Sequence, residues 1–267
     1  MNNIKAIIFD WAGTLVDFGC LAPTSVFVEV FAKKGIEITL DQARGPMGLA
    51  KNIHLAELLK LEEVRRQWQE KFNRLPNEVD VEDLFSHLEP TLAEIVKEYS
   101  KPIPGAVETI NKLKSIGVKI GSTTGYVASM MENVLPIAKS YGLEPDCVIN
   151  SSDVPFGRPK PYMCYLNAIK MDVFPFNQMI KVGDTVADIK EGLNAGMWTI
   201  GFTKSGNEIG FSEEGIKNVP EDVLKSKTKA AESKLKDTGA HYVVDGIWDI
   251  LPIVEEISNR IENGEKP

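Results

Sequence analysis

The residues best able to do chemistry stand in four short segments. In "IIFDWAGTLVDFG" an aliphatic run ends in Asp10, a carboxylate placed where it can act as nucleophile or hard-metal ligand. Gly13 and Thr14 permit a tight turn behind it. Two positions after Asp10 stands Ala12, so the segment supplies a nucleophile without a neighbouring proton donor. "GSTTGY" (121–126) offers the Thr124 hydroxyl, and Gly125 lets backbone N–H groups come close to an anion. "GRPKP" (157–161) carries two cations, Arg158 and Lys160, either of which could hold a phosphoryl oxygen and keep Asp10 ionised. In "KVGDTVADIKEG" (181–192), Asp184 follows an aliphatic run and Asp188 lies one helical turn further on the same face. Two carboxylates so spaced suit a hard cation such as Mg²⁺, one directly and one through its shell. Each segment also has an ordinary reading as a cap, a turn or a solvated basic loop.

A fifth segment, "PMGLAKNIH" (46–54), places Lys51 among Met47, Gly48 and His54. A lysine desolvated by apolar neighbours has a lowered pKa, and its neutral amine attacks carbonyl groups. His54 sits three residues on, on the same helical face. With 30 Lys and Arg in the chain, the default for any one of them is a solvent-facing charge.

The elements that must position these residues are legible as alternating strands and helices. Aliphatic runs at 4–9, 118–123, 147–150, 179–183, 197–202 and 241–244 have the character of buried parallel strands. Helical periodicity lies between them, as in Val107, Ile110, Leu113 and Ile116. The expected fold class is α/β: a doubly wound, mostly parallel, Rossmann-like sheet, with chemistry beyond the carboxyl ends of its strands. From about 20 to 100 the alternation stops and helix-like sequence takes over, reading as an inserted α-helical cap over 20–99, with 1–19 and 100–267 forming the core. "SKPIPGA" (100–106) reads as the return linker, and the stretch 203–240 as a surface loop followed by a charged helix without chemistry. The tail "ENGEKP" is expected to fray.

"FDWAGT", "STTGY", "GRPKP" and "GDTVAD", in that order, resemble the four motifs of the haloacid dehalogenase-like superfamily, over about 4–20 and 100–245. That resemblance implies Asp10 as nucleophile, Thr124 and Arg158 as phosphoryl-binding groups, Asp184 as Mg²⁺ ligand with Asp188 in support, and the backbone carbonyl of Ala12 as a further ligand. Most phosphatases of the superfamily carry a second Asp at the position of Ala12, and its loss removes a general acid contributing on the order of 10²–10⁴-fold. "PMGLAK" together with "FDWAGT" and "STTGY" is similar to the phosphonatase branch, which implies a Schiff base on Lys51 and a site lined by Cys20, Met47, His54 and Tyr126. The expected activity is Mg²⁺-dependent hydrolysis of the P–C bond of phosphonoacetaldehyde. The alternatives are a phosphate monoester phosphatase or phosphomutase of the same superfamily, and a non-catalytic phosphate-binding protein. The resemblance also implies a homodimer formed through the cap, though Val26, Phe27 and Val30 equally suit the cap's own core.

Composition narrows the class further. A net charge of −8 disfavours nucleic acid or an anionic membrane as partner. Three cysteines without metal-ligand spacing suit a reducing, cytoplasmic setting. No leader and no membrane-crossing run are expected.

Overall fold

Six short strands pair in parallel into one sheet with the order β3-β2-β1-β4-β5-β6. They are β1 (Ala6–Phe9), β2 (Lys119–Thr124), β3 (Cys147–Asn150), β4 (Met179–Gly183), β5 (Trp198–Phe202) and β6 (Tyr242–Val244). The computed structural model describes residues 3–267. The expectation that the chain opens without a leader rests partly on Met1 and Asn2, which lie outside the described residues.

Both faces of the sheet are apolar, as parallel strands covered by helices require. Ile7 and Phe9 of β1 join the main core with Ile110 and Leu113 of α6 (Ala106–Ser115) and Val254 and Ile257 of α12 (Ile250–Glu262). Ala6 and Ile8 point the other way, onto Cys164 and Ala168 of α8 (Tyr162–Met171). The alternation follows directly from the two-residue period of a strand. Ile116 had been assigned to the buried face of α6, yet it is exposed beyond the helix end. A strict three-residue step drifts about 60° per repeat, so the fourth member falls on the opposite side.

Chain order reverses beside β1, with β2 and β3 on one side and β4 to β6 on the other. The carboxyl ends of β1 and β4 therefore meet at the switch point, where open α/β sheets place their ligands. The register pairs Phe9 with Val182, and the N–H of Asp10 continues it by donating to the Val182 carbonyl at 2.9 Å. Asp10 and Asp184 thus leave the sheet side by side.

Between β1 and α6 run five α-helices: α1 (Leu21–Lys33), α2 (Leu40–Arg44), α3 (Lys51–Lys60), α4 (Glu62–Phe72) and α5 (Glu78–Ile95). The four-residue spacing of Leu84, Leu88 and Leu92 gives α5 a buried stripe, against which α1 and α3 pack. Its start is fixed by reciprocal bonds: Asn77 Oδ1 accepts from the Val79 N–H at 2.9 Å, and Asp80 Oδ2 accepts from the Asn77 N–H at 2.8 Å. Val26, Phe27 and Val30 of α1 are fully buried, so they belong to the interior of this bundle and are no free surface.

Lys51 opens the third helix of the insertion, α3. Gly48, at φ +88°, breaks the helical path just before it. The stretch after β5 also differs from expectation. The charged helix exists as α11 (Glu221–Asp237), after α10 (Gly215–Asn218), but Thr203, Ser205, Asn207 and Ile209 are buried. That segment packs beneath the insertion and is no surface loop. The remaining helices are α7 (Ala128–Ser140) and α9 (Val186–Asn194), and residues 263–267 are exposed beyond α12. No helix among the described residues is long and apolar enough to cross a membrane.

Candidate active site

The first shell is built on strand ends. Asp10 follows β1; its Oδ1 accepts from Arg158 Nη2 at 2.7 Å, while Oδ2 accepts no hydrogen bond among the described residues. Arg158 is buried and shared: Nε donates to Glu191 Oε2 at 2.9 Å, Nη1 lies 3.1 Å from Asp188, and Nη2 also donates to Thr123 Oγ1 at 2.8 Å. Burial alone would lower its pKa, but Asp10, Asp188 and Glu191 hold it well above the usual value. Lys160, the other cation of that segment, is exposed and takes no part. The choice left open between them falls to Arg158.

Asp184 follows β4 and accepts from Thr14 Oγ1 at 3.1 Å and from the Asn207 N–H at 2.7 Å. Asp188 in α9 accepts from Lys181 Nζ and from Thr185 Oγ1, both at 2.5 Å. Asp10, Asp184 and Asp188 each bring an oxygen within 4.8 Å of the other two. Burial raises the pKa of Asp184 well above the usual carboxylate range, and the charges of Asp10 and Asp188 add to it. Asp10 is raised by burial too, against the pull of Arg158. For Asp188 the cations Arg158 and Lys181 outweigh burial and hold the pKa down.

The donor set fits a hard divalent cation. Asp10 and Asp184, both with raised pKa, bring oxygens within 4.8 Å of one another, and the Ala12 carbonyl accepts no hydrogen bond among the described residues. A cation bound to Asp10, Asp184 and that carbonyl, with Asp188 behind, would relieve the repulsion; oxygen ligands of this kind suit Mg²⁺.

The helical insertion closes over this floor. Gly48 accepts a hydrogen bond from Arg158 Nη1 at 3.3 Å, and a side chain on Gly125 would collide with the Leu49 carbonyl. Glycine at 125 is therefore what lets the loop after β2 meet the insertion backbone to backbone. The enclosed space is about 20 Å³, room for about one water molecule. Its walls include Asp10, Ala12, Cys20, Met47, Lys51, Thr124, Gly125, Tyr126 and Arg158, which the sequence had assigned to one site.

Lys51, the first residue of α3, is 3% exposed. Its Nζ lies 5.0 Å from the ring centroid of Tyr126 and 5.7 Å from that of Phe27, with no ion pair among the described residues. Burial lowers its pKa to about 8, although the negative charge of Asp10 pulls the other way. Cys20, in a left-handed conformation at φ 52°, remains a neutral thiol because burial raises its pKa well above the usual value. The Tyr126 N–H donates to Thr124 Oγ1 at 3.1 Å, which leaves the Thr124 hydroxyl hydrogen free for a ligand.

His54 departs from expectation, since it does not form part of the cavity wall. It is fully buried, stacked on Phe27 at 3.8 Å between centroids, and Nε2 donates to the Ala43 carbonyl at 2.9 Å. Burial drives its pKa well below the ordinary value and Lys51 lowers it further, so it is a neutral packing residue on the buried side of α3.

Several site residues escaped the sequence reading. Lys181 had a signal, a lone charge inside the aliphatic run "MIKVG"; a buried strand tolerates one only when it is paired. Glu191, one turn after Asp188, had a weaker one. Thr123, beside Thr124 at the end of β2, was passed over within its own segment, and Ser205 and Asn207 had no signal, since loop packing brings them in. Ser205 Oγ donates to the Gly13 carbonyl at 2.9 Å.

A Rossmann-like sheet with an inserted helical cap, and four loops beyond its strands that bring Asp10, Thr124, Arg158 and Asp184 to one place, define a haloacid dehalogenase-like hydrolase. The chain belongs to that family: its model, described as haloacid dehalogenase-like hydrolase, matches residues 4–196. Within it, the chain is 46% identical over 264 residues to a phosphonoacetaldehyde hydrolase of Syntrophobacter fumaroxidans, covering 99% of this chain and 95% of that one. It is 44% identical to the phosphonoacetaldehyde hydrolase of Bacillus cereus, covering 97% and 98%. A crystal structure of a phosphonoacetaldehyde hydrolase-like protein from Oleispira antarctica superposes with a TM-score of 0.97 at 39% identity, over 99% of this chain and 96% of that one. The phosphonatase resemblance read from the sequence agrees with these relatives.

Proposed function

We propose that the protein hydrolyses phosphonoacetaldehyde to acetaldehyde and phosphate, with covalent roles for both Lys51 and Asp10. The observation that carries the reading is the buried amine of Lys51 in the same small cavity as Asp10, next to Ala12 and with no other carboxylic acid on the cavity wall. A phosphate ester hydrolase or mutase needs an acid for its leaving alkoxide, and the wall provides none.

A P–C bond resists cleavage because its electron pair would leave on carbon as a carbanion. Neutral Lys51 Nζ attacks the aldehyde carbon; with one proton taken up from solvent, water departs and a protonated imine remains. Asp10 Oδ2 then attacks phosphorus; the P–C electron pair moves into a C=C bond and the imine electrons return to nitrogen, giving a neutral enamine. Arg158 holds Asp10 in place, and the free Thr124 hydroxyl hydrogen is available to a phosphonyl oxygen. Asp10, Asp184 and the Ala12 carbonyl, with Asp188 in support, would hold a Mg²⁺ ion, which would supply charge neutralisation for the phosphonate. Water hydrolyses the aspartyl-phosphate; the enamine takes a proton on carbon and is hydrolysed to acetaldehyde and free Lys51. Met47, Cys20 and Tyr126 exclude bulk water around the amine.

Residues 20–99 act as the mobile cap and 1–19 with 100–267 as the core. Exposed Ile53, Phe72, Leu75 and Val79 support a homodimer formed through the cap, which sedimentation at graded concentration tests. Three free, buried cysteines support a cytoplasmic setting. Borohydride added with phosphonoacetaldehyde is expected to inactivate the enzyme and leave the reduced adduct on Lys51. Turnover of the substrate without any adduct at that residue overturns the reading.

A further inference from the structure

Arg44 ends α2, on the cap, but its guanidinium is spent on the core and on the linker between the two. Nη1 donates to the Gly19 carbonyl at 2.9 Å and to the Asn207 carbonyl at 3.1 Å. Nη2 reaches the Gly210 carbonyl at 3.4 Å, and a side chain on Gly210 would strike the guanidinium itself. Asn207 Nδ2 returns a bond to the Arg44 carbonyl at 3.2 Å. The N–H of the same Asn207 donates to Asp184 Oδ2 at 2.7 Å. One residue therefore touches the cap on one side and a carboxylate of the candidate metal site on the other.

The geometry points to Arg44 as a positioning residue that latches the cap shut and, through Asn207, couples closure to the cation site at Asp184. A guanidinium with several carbonyl acceptors is a directional clasp that a lysine cannot reproduce. The socket exists only when α2 sits on the loop after β5, so opening the cap removes all of these bonds together. Asn207 is 1% exposed, and without Arg44 the loop that presents its N–H to Asp184 loses its outer support. Closure and cation binding then favour each other, and linkage requires the effect to run equally in both directions. This inference rests on the hydrolase reading for its purpose, though not for its test.

The test uses thiol labelling, which needs no substrate. Cys20 lies in the cavity beneath the cap, whereas Cys147 and Cys164 belong to apolar clusters elsewhere in the core. In the unaltered full-length protein, Mg²⁺ is expected to slow maleimide labelling at Cys20, read by mass spectrometry. In Arg44→Ala, labelling at Cys20 rises about tenfold or more with Cys164 unchanged, and protection by Mg²⁺ is largely lost. Arg44→Lys recovers only part of it. Asn207→Ala, which keeps the backbone N–H but removes the side-chain contacts to Arg44, gives the same direction of change and serves if Arg44→Ala does not fold. Unchanged Cys20 labelling in the folded variants overturns the latch, as does an equal rise at all three cysteines in both. If Lys51 is never trapped by the aldehyde yet these labelling effects hold, the substrate assignment fails and the latch stands.

Discussion

The Nζ of Lys51 lies 5.0 Å from the ring centroid of Tyr126, so an amine carried by the inserted helices rests on an aromatic ring carried by the loop after β2. The contact joins the two halves of the site, and it strips water from the amine. Burial is the largest influence on Lys51, bringing its pKa to about 8 from the ordinary 10.5. At pH 7 roughly a tenth of such a group is neutral, against about one part in 3,000 for a solvated lysine. Closure thus creates the nucleophile as well as the enclosure.

The pH profile of trapping follows from that shift. The attacking form is the free amine, so the initial rate of borohydride-trapped adduct should climb about tenfold per pH unit below 8 and flatten above it. A profile still rising steeply at pH 9.5 means that the amine is solvated when it reacts.

The same burial weakens the fold. Lys51 has a folded pKa near 8 and an unfolded value near 10.5, so the unfolded chain binds the proton more tightly. The penalty is complete below pH 8, about 3 kcal/mol, and disappears as the pH rises through 10.5. Lys51→Met should therefore unfold at higher urea than the parent at pH 7, lose trapping altogether, and lose its stability advantage near pH 10.5. Equal midpoints at pH 7 would show that the amine is hydrated in the resting protein.

How far the sequence discloses this arrangement depends on what each residue's neighbours are. Asp10, Arg158 and Asp184 are legible because aliphatic runs or turn residues flank them, and such runs have one plausible place, the sheet. Lys51 is only faintly legible from its apolar neighbours and gains weight through the resemblance, since its helix start follows the left-handed Gly48 and no periodicity marks it. Asn207 and Ser205 are not legible at all. They reach Asp184 and Gly13 because a loop folds inward after β5, and polar residues in a glycine-bearing loop read as solvated in any linear scan. His54 misleads for the opposite reason: helical spacing places it beside Lys51, but stacking on Phe27 and the bond to Ala43 turn it inward.

The two cations of "GRPKP" should separate cleanly. Arg158 holds Asp10, Asp188 and Glu191 together at the floor of the site. Removing one partner from such a buried network leaves uncompensated charge, so Arg158→Ala should cost about 3–5 kcal/mol of stability at pH 7 along with all turnover. Lys160→Ala, at an exposed position, should change stability by less than about 0.5 kcal/mol and leave turnover within a factor of about two. Urea titrations and steady-state rates of the two variants decide this; a stable, active Arg158→Ala protein contradicts the role given to the network.

Ala12 is the position at which an acid is missing, and restoring one gives the sharpest electrostatic test. Ala12 and Lys51 line the same cavity of about 20 Å³, where an added carboxylate would have little water to screen it. A carboxylate at such range favours the ammonium form and typically raises a neighbouring pKa by about 1–3 units. Ala12→Asp should therefore move the midpoint of the trapping profile upward from about 8 by that amount, and reduce the trapping rate at pH 7 at least about tenfold. Ala12→Asn adds the same bulk without the charge, and separates crowding from electrostatics: it should slow trapping without moving the midpoint. If Ala12→Asp leaves the midpoint near 8, the amine and position 12 do not share a dry cavity when the imine forms, and the absence of an acid at 12 has no bearing on Lys51.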